Sequence, residues 1–166
     1  VAAGTAVAQG NGVERARAGG APPPGSGPFT IEGPVRVIDG DTIEVNIDGT
    51  RVGVKLIGID APRANTVCGR VATAHLKAIA RDDVRLEDVA GAGFNEQGLK
   101  LYRVVEPGRG PSIAERMVSA GVARVAEKPR ERGPDAARLA RLQGQARAAE
   151  KGCLWDNPSS GERNGP

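Results

Sequence analysis

Along residues 41–47, "DTIEVNI", apolar and polar positions alternate, setting Ile43, Val45 and Ile47 on one face and Thr42, Glu44 and Asn46 on the other. A period of two is that of a half-buried strand. The Asp48-Gly49 dipeptide that follows suits the positive φ of a two-residue hairpin turn, and residues 50–59 form the return strand. Pairing Ile47 with Thr50 puts Val45 opposite Val52, Ile43 opposite Val54, Thr42 opposite Lys55 and Asp41 opposite Leu56. One apolar face then runs across both strands. Upstream, "GPVRVI" is another short strand, separated by Asp39-Gly40, which reads as a bulge or tight bend.

The period changes over residues 70–81, "RVATAHLKAIAR", where Val71, Leu76 and Ile79 recur near helical spacing without a breaker. Strands resume at "VRLEDV" and "LKLYRVV", with a Gly-rich turn between them. Ser112 and Glu115 stand in capping-box order and open a short helix running to Gly121. Pro134-Asp135 begins the last helix, with Leu139, Leu142, Ala146 and Ala149 as its apolar stripe and Gly152 as its stop. The order is three strands, helix, two strands, helix, helix. It predicts a mostly β fold with α: a five-stranded, curled Greek-key barrel of the oligonucleotide/oligosaccharide-binding type, plus about three helices.

Composition sets the limits of that domain. Residues 1–29 are rich in Gly, Ala and Pro and poor in large apolar side chains, which predicts a flexible arm; residues 157–166 read as a disordered tail. The folded domain is expected over 30–156. Net charge is +3, and the cationic excess lies after residue 127, a mild bias toward polyanions or a solvated helix surface. No apolar run approaches the ~20 residues that span a bilayer. "AGTAVAQ" near the start has the small-residue character of the end of a secretory signal, which favours an extracytoplasmic or secreted location.

Three acids, Asp39, Asp41 and Asp60, bracket the hairpin. Two have a local role open to them: Asp39 in an Asx turn before Gly40, Asp60 where a strand must stop before Ala61-Pro62. Cys68 and Cys153 are too far apart for a C-x-x-C site, leaving one disulfide or two free thiols, according to compartment. The lone His75 falls within the first helix, which argues against a histidine metal cluster or relay triad.

With these motifs in view, the chain resembles the staphylococcal nuclease family over about residues 33–155. "VIDGDT" and "KLIGIDAPR" are similar to its two metal-site motifs, and "GRVATAHL", "GLKLYRV", "IAERMVSAGVARV" and "GCLW" follow in the family's order. The resemblance implies a calcium-dependent phosphodiesterase acting on DNA and RNA. It makes Asp41 and Asp60 the metal carboxylates, the Ala61 carbonyl a further ligand and Asp39 a supporting group. Two acids alone make a weak calcium site, since the ion takes 6–8 oxygens.

The same resemblance exposes departures at the catalytic positions. Lys55 stands at the first arginine position, Arg63 at the glutamate and Gln97 at the second arginine. Lys55 keeps a charge that can attract phosphate but lacks the planar fork. Arg63 can bind phosphate, yet a guanidinium accepts no proton. Gln97 offers only a neutral hydrogen bond where charge develops. A different gap before Ser112 would bring Arg103 or Arg109 to that position instead, and Glu44 or Glu96 could stand in as base. The expectation is an impaired member that binds nucleic acid, a nucleotide or a protein partner, with Lys55, Arg63, Arg138, Arg141 and Arg147 as the cations for a polyanion. The alternatives are an active calcium-dependent endonuclease and a secreted accessory subunit stapled by Cys68–Cys153. Phe29, Phe94, Tyr102 and Trp155 are the whole aromatic inventory, which counts against general single-strand stacking, and Trp155 is expected to cap the core.

Overall fold

The computed structural model describes residues 25–156. The expected arm, up to residue 24, and the tail at 157–166 lie outside these residues. Phe29 is no part of a loose arm, because β1 (Phe29–Thr30) pairs with β6 (Arg85–Asp88) and its ring meets Tyr102 edge-on at 5.9 Å.

The central hairpin has the register that the alternation dictates. In β3 (Thr42–Ile47) and β4 (Thr50–Leu56), Thr42 faces Lys55, Ile43 faces Val54 and Ile47 faces Thr50. Asp48 and Gly49 take φ of 51° and 72°, and β2 (Glu32–Val37) pairs with β3 through a register shift. β7 (Lys100–Val105) lies parallel to β4. The mixed six-stranded sheet runs β1-β6-β7-β4-β3-β2. The five expected strands are all present, so the fold is mostly β with α, of the expected barrel type, enlarged by three two-residue strands.

The return strand does not continue to Ile59. It breaks at Gly58, whose φ is 95°, and resumes as β5 (Ile59–Asp60), which pairs with β8 (Arg124–Val125) in a separate ribbon. Only glycine enters that conformation cheaply. The break matters for the site, because it turns Asp60 back toward the head of β3.

Helix α1 (Val67–Ile79) starts earlier than expected, since the Thr66 hydroxyl accepts from the Gly69 amide at 2.9 Å. Its buried stripe is Gly69, Ala72, Leu76 and Ile79, while Val71 is exposed. α2 (Ile113–Ser119) carries both halves of the capping box, with Ser112 N–H donating to Glu115 Oε2 at 2.6 Å. α3 (Ala136–Ala148) buries Leu139 and Ala146 but not Ala149. It ends before Gly152, which instead opens a short α4 (Gly152–Trp155), its φ of 68° letting the backbone pass close to Gly121.

The largest buried side chains, among them Ile43, Leu56, Ile59, Leu76, Leu86, Ile113, Met117 and Leu139, join the sheet's apolar face to α1, α2 and α3. The opposite face of β3 and β4, carrying Thr42, Glu44, Gly53 and Lys55, is left to form the wall of a cavity.

Candidate functional site

The cavity has a volume of about 500 Å³ and brings together Asp39, Asp41, Lys55, Asp60, Ala61, Arg63 and Gln97. Every residue proposed from the two hairpin motifs and the second arginine position thus lines one space. Four carboxylates (Asp39, Asp41, Glu44 and Asp60) face two cations, Lys55 and Arg63.

Asp41 sits at the head of β3 and is nearly enclosed. Its own amide donates to Asp39 Oδ1 at 3.0 Å, so Asp39 makes the Asx-type turn that swings the chain into β3. Gly40 is required there, since a Cβ would come within 2.7 Å of the Ala61 and Ala72 Cβ atoms. Asp41 Oδ1 accepts from the Thr42 hydroxyl at 3.0 Å. Asp41 Oδ2 accepts from the Ala61 amide at 2.7 Å and from Lys55 Nζ at 2.9 Å.

Lys55 is the centre of the arrangement. Its ammonium reaches Asp41 Oδ2, Asp60 Oδ1 at 3.0 Å and the Ile59 carbonyl at 3.1 Å. An ammonium has three hydrogens, and three oxygens take them. Glu131 Oε2, also buried, stands 4.0 Å away. Burial alone would lower the Lys55 pKa; the carboxylates of Asp41 and then Asp60 outweigh it, and the net shift is upward. The residue is 7 % exposed, so the charge expected to meet a phosphate is turned inward onto carboxylates.

The other two altered positions are at the rim. Arg63 is exposed, in the turn between β5 and α1, where its carbonyl accepts from the Thr66 amide at 2.9 Å and hydroxyl at 2.8 Å. Gln97 is exposed in the loop before β7, its Oε1 accepting from Asn95 Nδ2 at 2.6 Å. Asn95 Oδ1 in turn accepts from the amides of Gln97 and Leu99 and shapes that loop. Asn95 was missed in the sequence, although an Asn two residues before a Gln-Gly pair is itself a turn signal.

The competing candidates are elsewhere. Arg103 is held by Asp135 at 2.6 Å and Glu87 at 3.1 Å, and neither it nor Arg109 lines the cavity. Glu44 lines it but is paired with Arg36 at 3.2 Å, and Glu96 is paired with Lys128. Arg138 is bound to Glu115, and Arg147 lies over the Trp155 ring with Arg124 on the same side chain. The basic residues of α3 are therefore not part of the cavity. Cys68, in the first turn of α1, is bridged to Cys153 of α4, with Cα atoms 5.3 Å apart.

A calcium ion does not fit this donor set as it stands. Both Asp41 oxygens are committed, Oδ2 to Lys55 as well as to the Ala61 amide, and Asp60 gives one oxygen to Lys55 and the other to the Glu127 amide at 3.4 Å. Among the described residues no three His, Cys, Asp or Glu side chains converge as a metal site. The space between Asp41 and Asp60 is filled by an ammonium.

A family model described as staphylococcal nuclease homologue matches residues 53–157, which includes Lys55, Asp60, Arg63 and Gln97. Two relatives, each called an uncharacterized endonuclease, one from Escherichia coli O157:H7 and one from Escherichia coli, are 34% identical to the chain over 123 residues. Each alignment covers 74% of this chain and 75% of the relative.

Proposed function

The chain belongs to the staphylococcal nuclease family, and from that premise we propose that it is a nuclease-fold domain with strongly reduced phosphodiester hydrolysis that keeps a contact with nucleic acid at the cavity rim. The observation that carries this reading is the bonding of Lys55 Nζ between Asp41 and Asp60, which leaves its charge unavailable to a substrate phosphate. Arg63, exposed at the rim, can attract a phosphate but cannot deprotonate water. Gln97 brings no charge to a developing phosphorane. Loss of one such electrostatic donor costs on the order of 10²–10³ in rate. Cys68 and Cys153, already bridged, favour an oxidising compartment.

The test is cleavage of fluorescent single- and double-stranded oligonucleotides, with calcium and with chelator, beside anisotropy binding at several salt concentrations. The expected result is weak, salt-sensitive binding, in the roughly 10⁻⁴–10⁻⁶ M range of non-specific contacts, with little or no cutting. Rapid chelator-sensitive cutting, abolished by Asp41→Ala, overturns the proposal. That second reading, an active metal-dependent endonuclease, is favoured by one feature: the excess of carboxylates over cations, which draws a divalent ion toward the cavity.

A further inference from the structure

We propose that Lys55 is the resident cation of this cavity: its ammonium stands between the carboxylates of Asp41 and Asp60, so that the strand-end turn at residues 59–61 is assembled without metal, and a divalent site opens only when the ammonium is removed. The inference rests on the reading of the cavity given above.

Three observations carry it. The first is coordination. The ammonium is held by Asp41 at the head of β3 and by the Ile59 carbonyl and Asp60 of β5, three oxygens from two separate points of the chain at 2.9–3.1 Å. Such convergence from two strand ends and a backbone carbonyl is the arrangement that otherwise needs a hard cation. The second is enclosure. The Lys55 and Asp41 side chains are 9% and 13% exposed, so losing one partner leaves a largely desolvated charge on the other.

The third is reach. A lysine is a point charge on a flexible four-carbon stem, whereas an arginine carries a planar fork farther out. From its register opposite Thr42, the Lys55 stem turns back to the head of β3 and into β5, rather than outward over the cavity. One substitution therefore removes a charge from the substrate side and supplies one to the metal side. A calcium ion entering with Lys55 in place would meet a neighbouring ammonium and carboxylates whose oxygens are already engaged.

Calcium titrations by calorimetry, and melting temperatures in 10 mM calcium and in chelator, on wild type and Lys55→Met test the proposal. The methionine keeps the apolar stem and deletes the charge. In wild type the melting temperature is expected to be the same in calcium and chelator, with no saturable binding below roughly 10 mM. Lys55→Met is expected to bind calcium at least about tenfold more tightly, toward the 10⁻⁴–10⁻³ M range of simple carboxylate sites, and to regain several degrees with the ion. If Lys55→Met does not fold in chelator, its rescue by calcium supports the proposal.

Should the variant fold in neither condition, an amide-resolved NMR titration of wild type decides. Unmoved Asp41 and Ala61 signals up to 10 mM calcium support the assignment. Saturable shifts below 1 mM that disappear in Asp41→Asn overturn it. The two readings fail separately: cutting that persists in chelator overturns impaired hydrolysis and leaves the resident cation standing. Tight calcium binding by wild type without cutting does the reverse.

Discussion

The amide of Ala61 donates to Oδ2 of Asp41 at 2.7 Å, which ties the turn after β5 to the head of β3, 20 residues earlier in the chain. The same oxygen accepts from Lys55, so Asp41 is at once a turn anchor and the principal counterion of a buried ammonium. Removing its charge leaves Lys55 held by Asp60, whose side chain is 43% exposed, and at a distance by Glu131. Asp41→Asn is expected to destabilise the fold by about 3 kcal/mol, the lower end for breaking a buried pair. Asp60→Asn, nearer water, should cost less, about 1 kcal/mol, as for a partly solvated pair. Urea denaturation checks both. Equal losses, or none at Asp41, would show that Lys55 is not held as described.

His75, the single histidine, is half-buried on α1, and its pKa is lowered by burial and then by the Arg116 charge. The folded state therefore favours the neutral ring. Below the unfolded value of about 6.5 the unfolded chain binds a proton that the folded chain resists. Stability is expected to be flat above about pH 7 and to fall as pH drops through about 6.5. Thermal melts from pH 5 to 8 on wild type and His75→Gln should show the slope in wild type and its loss in the variant. A slope that survives in His75→Gln assigns it to another group.

Cys68 and Cys153 close a loop with a sequence separation of 85 and fasten the start of α1 to α4. Restricting the unfolded chain over such a loop contributes about 4.5 kcal/mol in the chain-entropy account. Reduction, or the Cys68→Ala/Cys153→Ala pair, is expected to lower the unfolding free energy measured by urea denaturation by an amount of that order with the fold retained. The effect should be felt at the cavity as well, because Thr66 caps α1 one turn from Arg63 and Gly69 packs against that turn's backbone. Two alkylatable thiols in natively purified protein would remove this prediction's premise.

The hairpin of residues 42–56 was legible down to its register, because a strict period of two and one Asp-Gly turn admit a single alignment. The capping box at Ser112 and Glu115 was equally plain. The break at Gly58 was not, since "LIGID" is apolar on both sides and only the tertiary contact with Leu139 and the pairing with β8 show that the strand leaves the sheet. α4 was hidden for a similar reason: a glycine reads as a helix stop, and here its positive φ starts a turn packed on Gly121. At the site, motif order located the residues that line the cavity, including Gln97 over Arg103. What spacing could not convey was the direction of the Lys55 side chain. That direction is set by the competition between an open cavity and two carboxylates within 3.0 Å.

If impaired hydrolysis stems from the three altered positions, restoring them should restore cutting. Lys55→Arg moves a forked charge away from Asp41 and Asp60, Arg63→Glu returns a proton acceptor to the turn after β5, and Gln97→Arg adds a second phosphate clamp from the loop before β7. The groups act together, so each single variant is expected to gain less than about tenfold, whereas the triple variant should gain on the order of 10² or more. Its cutting should be calcium-dependent, because removing the ammonium frees the two carboxylates, and should vanish again with Asp41→Ala. Single-turnover cleavage of a labelled oligonucleotide, measured beside melting temperature to exclude unfolding, provides the check. A folded triple variant that binds calcium but does not cut would place the missing group outside these positions. One that neither binds calcium nor cuts would mean that Lys55 is not what keeps the ion out.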